Sequence, residues 1–318
     1  VRNRYVRLFG RELIWQPVLK EVWSADLVIA EQASKLLVNY VLQIASIFGG
    51  PKFAFWGHGK NFQEHAASRL GEFIKRFMSR HVHWWFAYNT TSAQVVRALP
   101  FPENRITAVQ NAIDTRELVA ARARIRATDV EQLKQRLGLH GRNICIFAGG
   151  MYREKRLDFL VSACKLIREQ IPDFEMLFIG SGVDAPLIES AAALHPWLKY
   201  VGPKFGDEKV LYFALAKLEL MPGLVGLGVL DSFALEVPLV TTNVDYHSPE
   251  IEYLRDGYNG IVVREADDAS AYASVVGSLL AAPKRIEALR AGCRESRDEY
   301  TVEEMVRRFA NGVRAAIG

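Results

Sequence analysis

Short runs of β-branched, aromatic and aliphatic residues alternate along this chain with stretches of helical periodicity. In the first third the runs fall at 26–30 (DLVIA), 52–56 (KFAFW), 83–88 (HWWFAY) and 105–109 (RITAV). Each predicts a short buried strand. Between the second and third runs, Leu70, Phe73, Ile74, Phe77 and Met78 recur at helical spacing, the one-sided stripe of an amphipathic helix. Strand and helix in alternation predict a parallel sheet covered by helices on both faces. Residues 119–140 (VAARARIRATDVEQLKQRLGLH) break the pattern. They are polar, basic and helix-prone, and Gly138 and Gly141 stop them. They read as a linker helix between a first lobe over 1–118 and a second over 141–299.

The second lobe is more regular. Candidate strands lie at 143–147, 175–179, 199–201, 218–221, 239–241 and 260–263, enough for a complete Rossmann-like sheet. The first lobe supplies only about four. Its opening, VRNRYVRLFG, does not read as the start of a fold, and Val1 is not an initiator. A truncated amino-terminal lobe is therefore expected. Residues 300–318 form a terminal helix. Thr301 and Glu304 have capping-box spacing, and Met305, Phe309 and Val313 share one face, which is expected to pack back on the first lobe. The expected fold class is α/β, with two Rossmann-like domains facing across a cleft at the carboxyl ends of their strands.

Composition narrows the functions. The chain has 318 residues, half of them hydrophobic, and a net charge of +4. That excess is too small for a dedicated nucleic-acid binder. Cys145, Cys164 and Cys293 are far apart and form no C-x-x-C. A zinc ribbon and a thioredoxin-like site are thus excluded, and a reducing, cytoplasmic setting is expected. The most apolar stretch, 36–48, is interrupted by Asn39 and Gln43 and is too short to span a bilayer core of about 30 Å.

Three loops carry candidate chemistry. In FAGGMYREKRLDFL (147–160) Gly149 and Gly150 permit close backbone approach to a ligand, and Lys155 stands at a helix start where an anion is favoured. Arg153 or Arg156 could add charge, and a tight turn with solvated basic residues is the plainer alternative. In MPGLVGLGVLDSFALEVPLVTT (221–242) Gly223, Gly226 and Gly228 make an apolar turn before Asp231, an acid within an apolar helix. That carboxylate could accept two ribose hydroxyls, or belong to an internal cap or ion pair. In FWGHGKNFQ (55–63) His58 lies between glycines after a strand, placed to bond a sugar or phosphate, to act as acid or base, or to be a bystander.

In order and spacing these loops resemble the retaining nucleotide-sugar glycosyltransferases of family 4, which have the GT-B fold. VQNAIDT (109–115) looks like the crossover between lobes, FAGGMYREKRLDFL like the family's diphosphate loop, and MPGLVGLGVLDSFALEVPLVTT like its E-x7-E segment. FEMLFIGSG, YVGP and PEIEYLRDGYNGIVV follow suit, so the likeness covers about half the chain. The resemblance implies that Lys155 holds the donor diphosphate and Asp231 the ribose. Gly226, Leu227 and Gly228 would present N–H groups. The loop from Val201 through Gly202 to Phe205 would meet the base, with Phe205 stacking, and His58 would face the transferred sugar. Two positions depart from the family. Its first Glu falls on Gly223 and its diphosphate Arg on Gly150, with Arg153 a candidate to compensate.

The resemblance implies a glycosyltransferase that moves a sugar from a nucleoside diphosphate to a glycan or lipid-linked glycan, with retention. It needs no cofactor beyond the nucleotide-sugar substrate, and a UDP-sugar is preferred to a GDP-sugar on frequency alone. No D-x-D occurs, so no metal ligand is assigned. A non-catalytic nucleotide-sugar-binding protein and a nucleotide-sugar epimerase on the same fold are the rivals. Arg2, Arg4, Arg7 and Arg11 with Trp15 and Trp23, and Arg69, Lys75, Arg76 and Arg80 beside the apolar stripe, raise peripheral membrane attachment. A solvated helix face is the preferred reading of the second cluster.

Overall fold

A computed structural model describes residues 2–8, 11–59 and 80–318. The stripe from Leu70 to Met78, with Arg69, Lys75 and Arg76, lies outside the described residues. The chain divides into two compact units, Val1–Asn111 with Val302–Gly318, and Ala112–Thr301. The first crossing thus falls seven residues before the boundary expected at 118. The basic stretch after it is two helices, Arg116–Arg124 and Ala127–Arg136. They bury Ala121 and Leu133 in the second unit's core, which is why they belong to that unit rather than to a free linker.

The first unit opens with an element that the sequence pattern did not reveal. β1 (Arg4–Leu8) and β2 (Arg11–Trp15) form an antiparallel ribbon, with Arg4 opposite Trp15. Residues 2–7 are exposed, so the pairing rests on backbone hydrogen bonds and leaves no burial period to read. A parallel sheet follows, ordered β3 (Leu27–Glu31), β4 (Lys52–Gly57), β5 (Trp84–Ala87), β6 (Ile106–Ala108). Strand alternation sorts its side chains onto two faces. Phe53, Phe55 and Trp85 pack with Val38 and Leu42 of the helix Leu37–Ile47. Ala54, Trp84 and Phe86 face the other way, onto Met305, Phe309, Val313 and Ala316 of the terminal helix Val302–Ile317. Phe309 stacks on Phe86 with centroids 4.4 Å apart. Lys52 Nζ donates to Ala316 O at 3.0 Å and Ile317 O at 3.1 Å, holding the helix's carboxyl end.

The second unit holds six parallel strands: β7 (Asn143–Ala148), β8 (Phe174–Ile179), β9 (Leu198–Tyr200), β10 (Leu218–Leu220), β11 (Leu239–Thr242) and β12 (Gly260–Val263). Their order is β12-β11-β10-β7-β8-β9. β8 is buried at every position, as a strand covered on both faces must be, and apart from Glu175 it reads as an apolar run. The three cysteines are buried and reduced. The chain order reverses between β7 and β10, and in open α/β sheets ligands bind at the carboxyl edge beside such a reversal. Among the described residues no helix is long and apolar enough to cross a membrane.

Candidate functional site

The loops after β7, β8 and β9 are fastened backbone to backbone. Gly149 N donates to Ile179 O, Met151 N to Ser181 O, and Gly180 N to Gly202 O, at 2.9–3.1 Å. Gly180 (φ +136°) and Gly182 (φ +155°) are required here, since a Cβ on either would collide with the carbonyl of Gly149 or Met151. Above them opens a cavity of about 630 Å³, within the range of small-ligand sites. Of the residues singled out from sequence, Gly149, Gly150, Lys155, Phe205, Gly226, Leu227, Gly228 and Asp231 line it. Phe205, 78% exposed, stands in its wall as a flat apolar surface. Gly202 serves instead as the acceptor for Gly180. Arg153 is exposed and outside the wall. Arg156 turns away, donating to Ala266 O and Asp267 at 2.6 Å.

Lys155 ends the 3-10 turn Arg153–Lys155 rather than opening the helix Leu157–Gln170. Its ammonium is buried, donates to Leu224 O at 2.6 Å and lies 3.4 Å from Met221 Sδ. Burial lowers its pKa to about 8, and the charge of Glu219 opposes the fall. Glu219 sits in β10 between two leucines and is 1% exposed. Burial first, then the charge of Asp231, pushes its carboxyl up to about 8, while Lys209 and Lys155 pull it down. Four titratable groups, Lys155, Glu219, Asp231 and Lys209, therefore act on one another here. Sequence reading passed over Glu219 and Lys209. A lone acid in a three-residue apolar strand is the signal that marks the first, and no local signal marks the second.

Asp231 lies in the first turn of the helix Gly228–Leu235. Its carboxylate is engaged with Lys209, Oδ2 to Nζ at 2.5 Å, and the two side chains are 18% and 19% exposed. The glycine turn before it is held from outside the cavity. Val225 N donates to His247 Nδ1 at 3.0 Å, and the Nε2 of the same ring lies 2.8 Å from Thr242 O. Nε2 therefore carries the proton and the imidazole is neutral. Burial keeps it so, lowering its pKa.

Only one of the two departures from the family pattern has a steric account. A Cβ on Gly223 would collide with Glu154 O and come within 2.7 Å of Lys155 Cα. Leu224 N donates to Glu154 O at 2.8 Å, so this turn is laid directly on the chain that carries Lys155. A Cβ on Gly150 would meet only the Tyr152 ring, at 2.8 Å.

His58 belongs to the first unit, at the end of β4. Its ring stands edge-on to Tyr88 with centroids 4.0 Å apart. Burial lowers its pKa to about 4, so at neutral pH it is an uncharged hydrogen-bonding group. Gly59 N donates to Gln32 Oε1 at 2.9 Å and fixes the loop.

Residues 142–282 match the sequence model of the family described as Glycosyl transferases group 1. That segment is similar to the group 1 glycosyl transferases. Spore coat protein SA of Bacillus subtilis is 27% identical over 176 residues, 50% of this chain and 45% of that protein. The UDP-N-acetylglucosamine–peptide N-acetylglucosaminyltransferase GtfA subunit of Streptococcus pneumoniae is 23% identical over 177 residues, 53% of this chain and 35% of that protein. The chain thus spans less than half the length of either of these relatives. The crystal structure of HepE from Anabaena in complex with UDP has a TM-score of 0.74 at 13% identity, covering 94% of this chain and 81% of HepE. At that identity the likeness is one of fold, the α/β, parallel-sheet fold of GT-B glycosyltransferases. The family match embraces Lys155, Glu219, Asp231 and His247, so every residue of the cavity wall but Leu118 lies inside the matched segment.

Proposed function

We propose that this chain is a retaining glycosyltransferase of family 4 that transfers a sugar, a hexose, from a nucleoside diphosphate to a glycan or lipid-linked glycan. The observation that carries the reading is the convergence on one cavity of Lys155, the amino end of the helix Gly228–Leu235 and the glycine-lined loops after β7 and β8. All lie at the carboxyl edge of the sheet in the segment that matches the group 1 family. UDP is the preferred nucleotide, supported by its presence in the HepE complex.

In this reading the diphosphate lies against Lys155 and the helix amino end, and Asp231 receives the ribose. As the bond to the anomeric carbon breaks, negative charge grows on the leaving phosphate. Lys155 is buried, so its attraction for that charge is stronger than it would be in water, and phosphate binding favours its protonated form. The neutral His58 ring would bond a hydroxyl of the transferred sugar. No covalent nucleophile is assigned, and front-face substitution accounts for retention. The lack of any D-x-D supports metal-independent transfer. A cytoplasmic setting belongs to the same proposal. Attachment to anionic membranes through the exposed Arg2, Arg4 and Arg7 with Trp23 is its lesser part, checked by flotation with anionic vesicles at low salt.

Gly223 favours a second reading. Where the family's pair has its first Glu, this chain has no room for a side chain, which suits a protein that binds a nucleotide sugar without transferring it. Calorimetry with UDP and GDP, followed by assays of UDP release from UDP-sugars with a glycan panel, separates the two. Binding with acceptor-dependent release and an anomerically retained product supports transfer. Binding without release supports the second reading, and no binding of either nucleotide overturns both.

A further inference from the structure

Gly150 leaves the diphosphate loop one positive charge short of the family pattern. Arg153, three residues on, is exposed and does not line the cavity. The cavity wall contains another cation, on a different element. Lys209 projects from the helix Gly206–Leu215, lines the cavity and is mostly buried. Asp231 holds its ammonium at 2.5 Å, and the Phe213 ring lies 5.9 Å away. Lys209 and Lys155 line the same cavity from different elements, and both charges act on the carboxyl of Glu219. Lys204, also in the wall, is paired with the exposed Glu208 at 2.8 Å and lies outside that group.

We propose that Lys209, aimed by Asp231, is the second cation for the donor's diphosphate and takes the place of the arginine that Gly150 removes. The assignment rests on the nucleotide-sugar reading of this cavity. An ammonium has three donors. Asp231 Oδ2 uses one and leaves two for phosphate oxygens. A pair of charges of opposite sign is also cheaper to keep part-buried than a lone ammonium. The same contact makes Asp231 a positioning residue for Lys209 as well as a ribose ligand. A purely structural Lys209–Asp231 pair would tie the helix Gly206–Leu215 to the helix Gly228–Leu235 and would not distinguish between ligands.

The test is calorimetric titration of UDP, UMP and uridine into the unaltered chain and into Lys209→Met, Lys209→Arg and Arg153→Met. Lys209→Met should weaken UDP about tenfold or more and uridine less than about twofold, as for loss of a charge-assisted bond. Lys209→Arg should restore most of the UDP affinity, and Arg153→Met should change none of the three by more than about twofold. Equal loss for UDP and uridine in Lys209→Met, or unchanged UDP binding, would overturn the assignment while leaving the nucleotide reading intact. A tenfold UDP loss in Arg153→Met would return the role to that residue. If the unaltered chain binds neither UDP nor GDP, the nucleotide reading fails and this inference with it. Melting curves of each variant confirm that the folded state is being titrated.

Discussion

At the scale of single residues the site depends on burying charge. Lys155 and Glu219 are removed from water and pull each other's protonation in opposite directions. For Lys155 the expected consequence concerns ligands. Lys155→Ala should weaken UDP by about 1.5–3 kcal/mol and hardly affect uridine, measured by calorimetry. For Glu219 it concerns stability. Its carboxyl titrates near 8 in the folded chain against an ordinary 4.5. The folded state therefore keeps a proton that the unfolded state releases between those values, and stability falls as pH rises through that window. Glu219→Gln imitates the protonated form and should be spared the fall. Its melting temperature relative to the unaltered chain should be several degrees higher at pH 9 than at pH 5, since about 1 kcal/mol moves a domain of this size by about 2–4 °C. A pH-independent difference would show that the carboxyl titrates alike in the folded and unfolded chain.

At the scale of elements the two altered glycines differ in kind. Gly223 lies on the backbone of Glu154 and Lys155, which cannot move without displacing the cavity floor. Gly223→Ala should cost more than about 2 kcal/mol and lower UDP affinity together with stability. Gly150 faces only the ring of Tyr152, a half-buried side chain rather than backbone, so Gly150→Ala should cost less than about 1 kcal/mol. Chemical denaturation of the two variants side by side checks the contrast. The turn that begins at Gly223 is further set by His247, whose neutral ring accepts from Val225 N and donates to Thr242 O. A histidine in a loop 22 residues after Val225 thus fixes the shape of a glycine turn. Nothing in its local sequence announces that role.

At the scale of the whole molecule, the chain's last helix belongs to its first unit. Phe309 lies on Phe86, and Gly312 is close enough to Phe86 and Thr107 that a Cβ there would lie 2.6 Å from each. Phe309 is half-buried, so Phe309→Ala should cost about 1–3 kcal/mol. The loss should be confined to one unit. Amides of β4 and β5 should exchange faster while those of β7 and β8 keep their protection, because the two sheets have separate cores. Equal acceleration in both sheets, read by hydrogen exchange, would mean that the units unfold as one.

The sequence by itself determined the ten parallel strands, the α/β class, the cavity's glycine loops and the position of Lys155 and Asp231 in its wall. These were legible because strand burial, helical stripes and glycine turns are local properties, repeated in a fixed order. The opening ribbon was not legible, since exposed β1 buries nothing and shows no period. Only tertiary structure decided which cation faces the cavity. Arg153 is adjacent to the diphosphate loop in sequence but points to solvent, whereas Lys209 arrives from a helix more than fifty residues away. The charge on Lys155 and Glu219 was likewise settled by packing, because a pKa shift comes from the groups that surround a side chain in space, and strand crossing brings those groups together from distant parts of the chain.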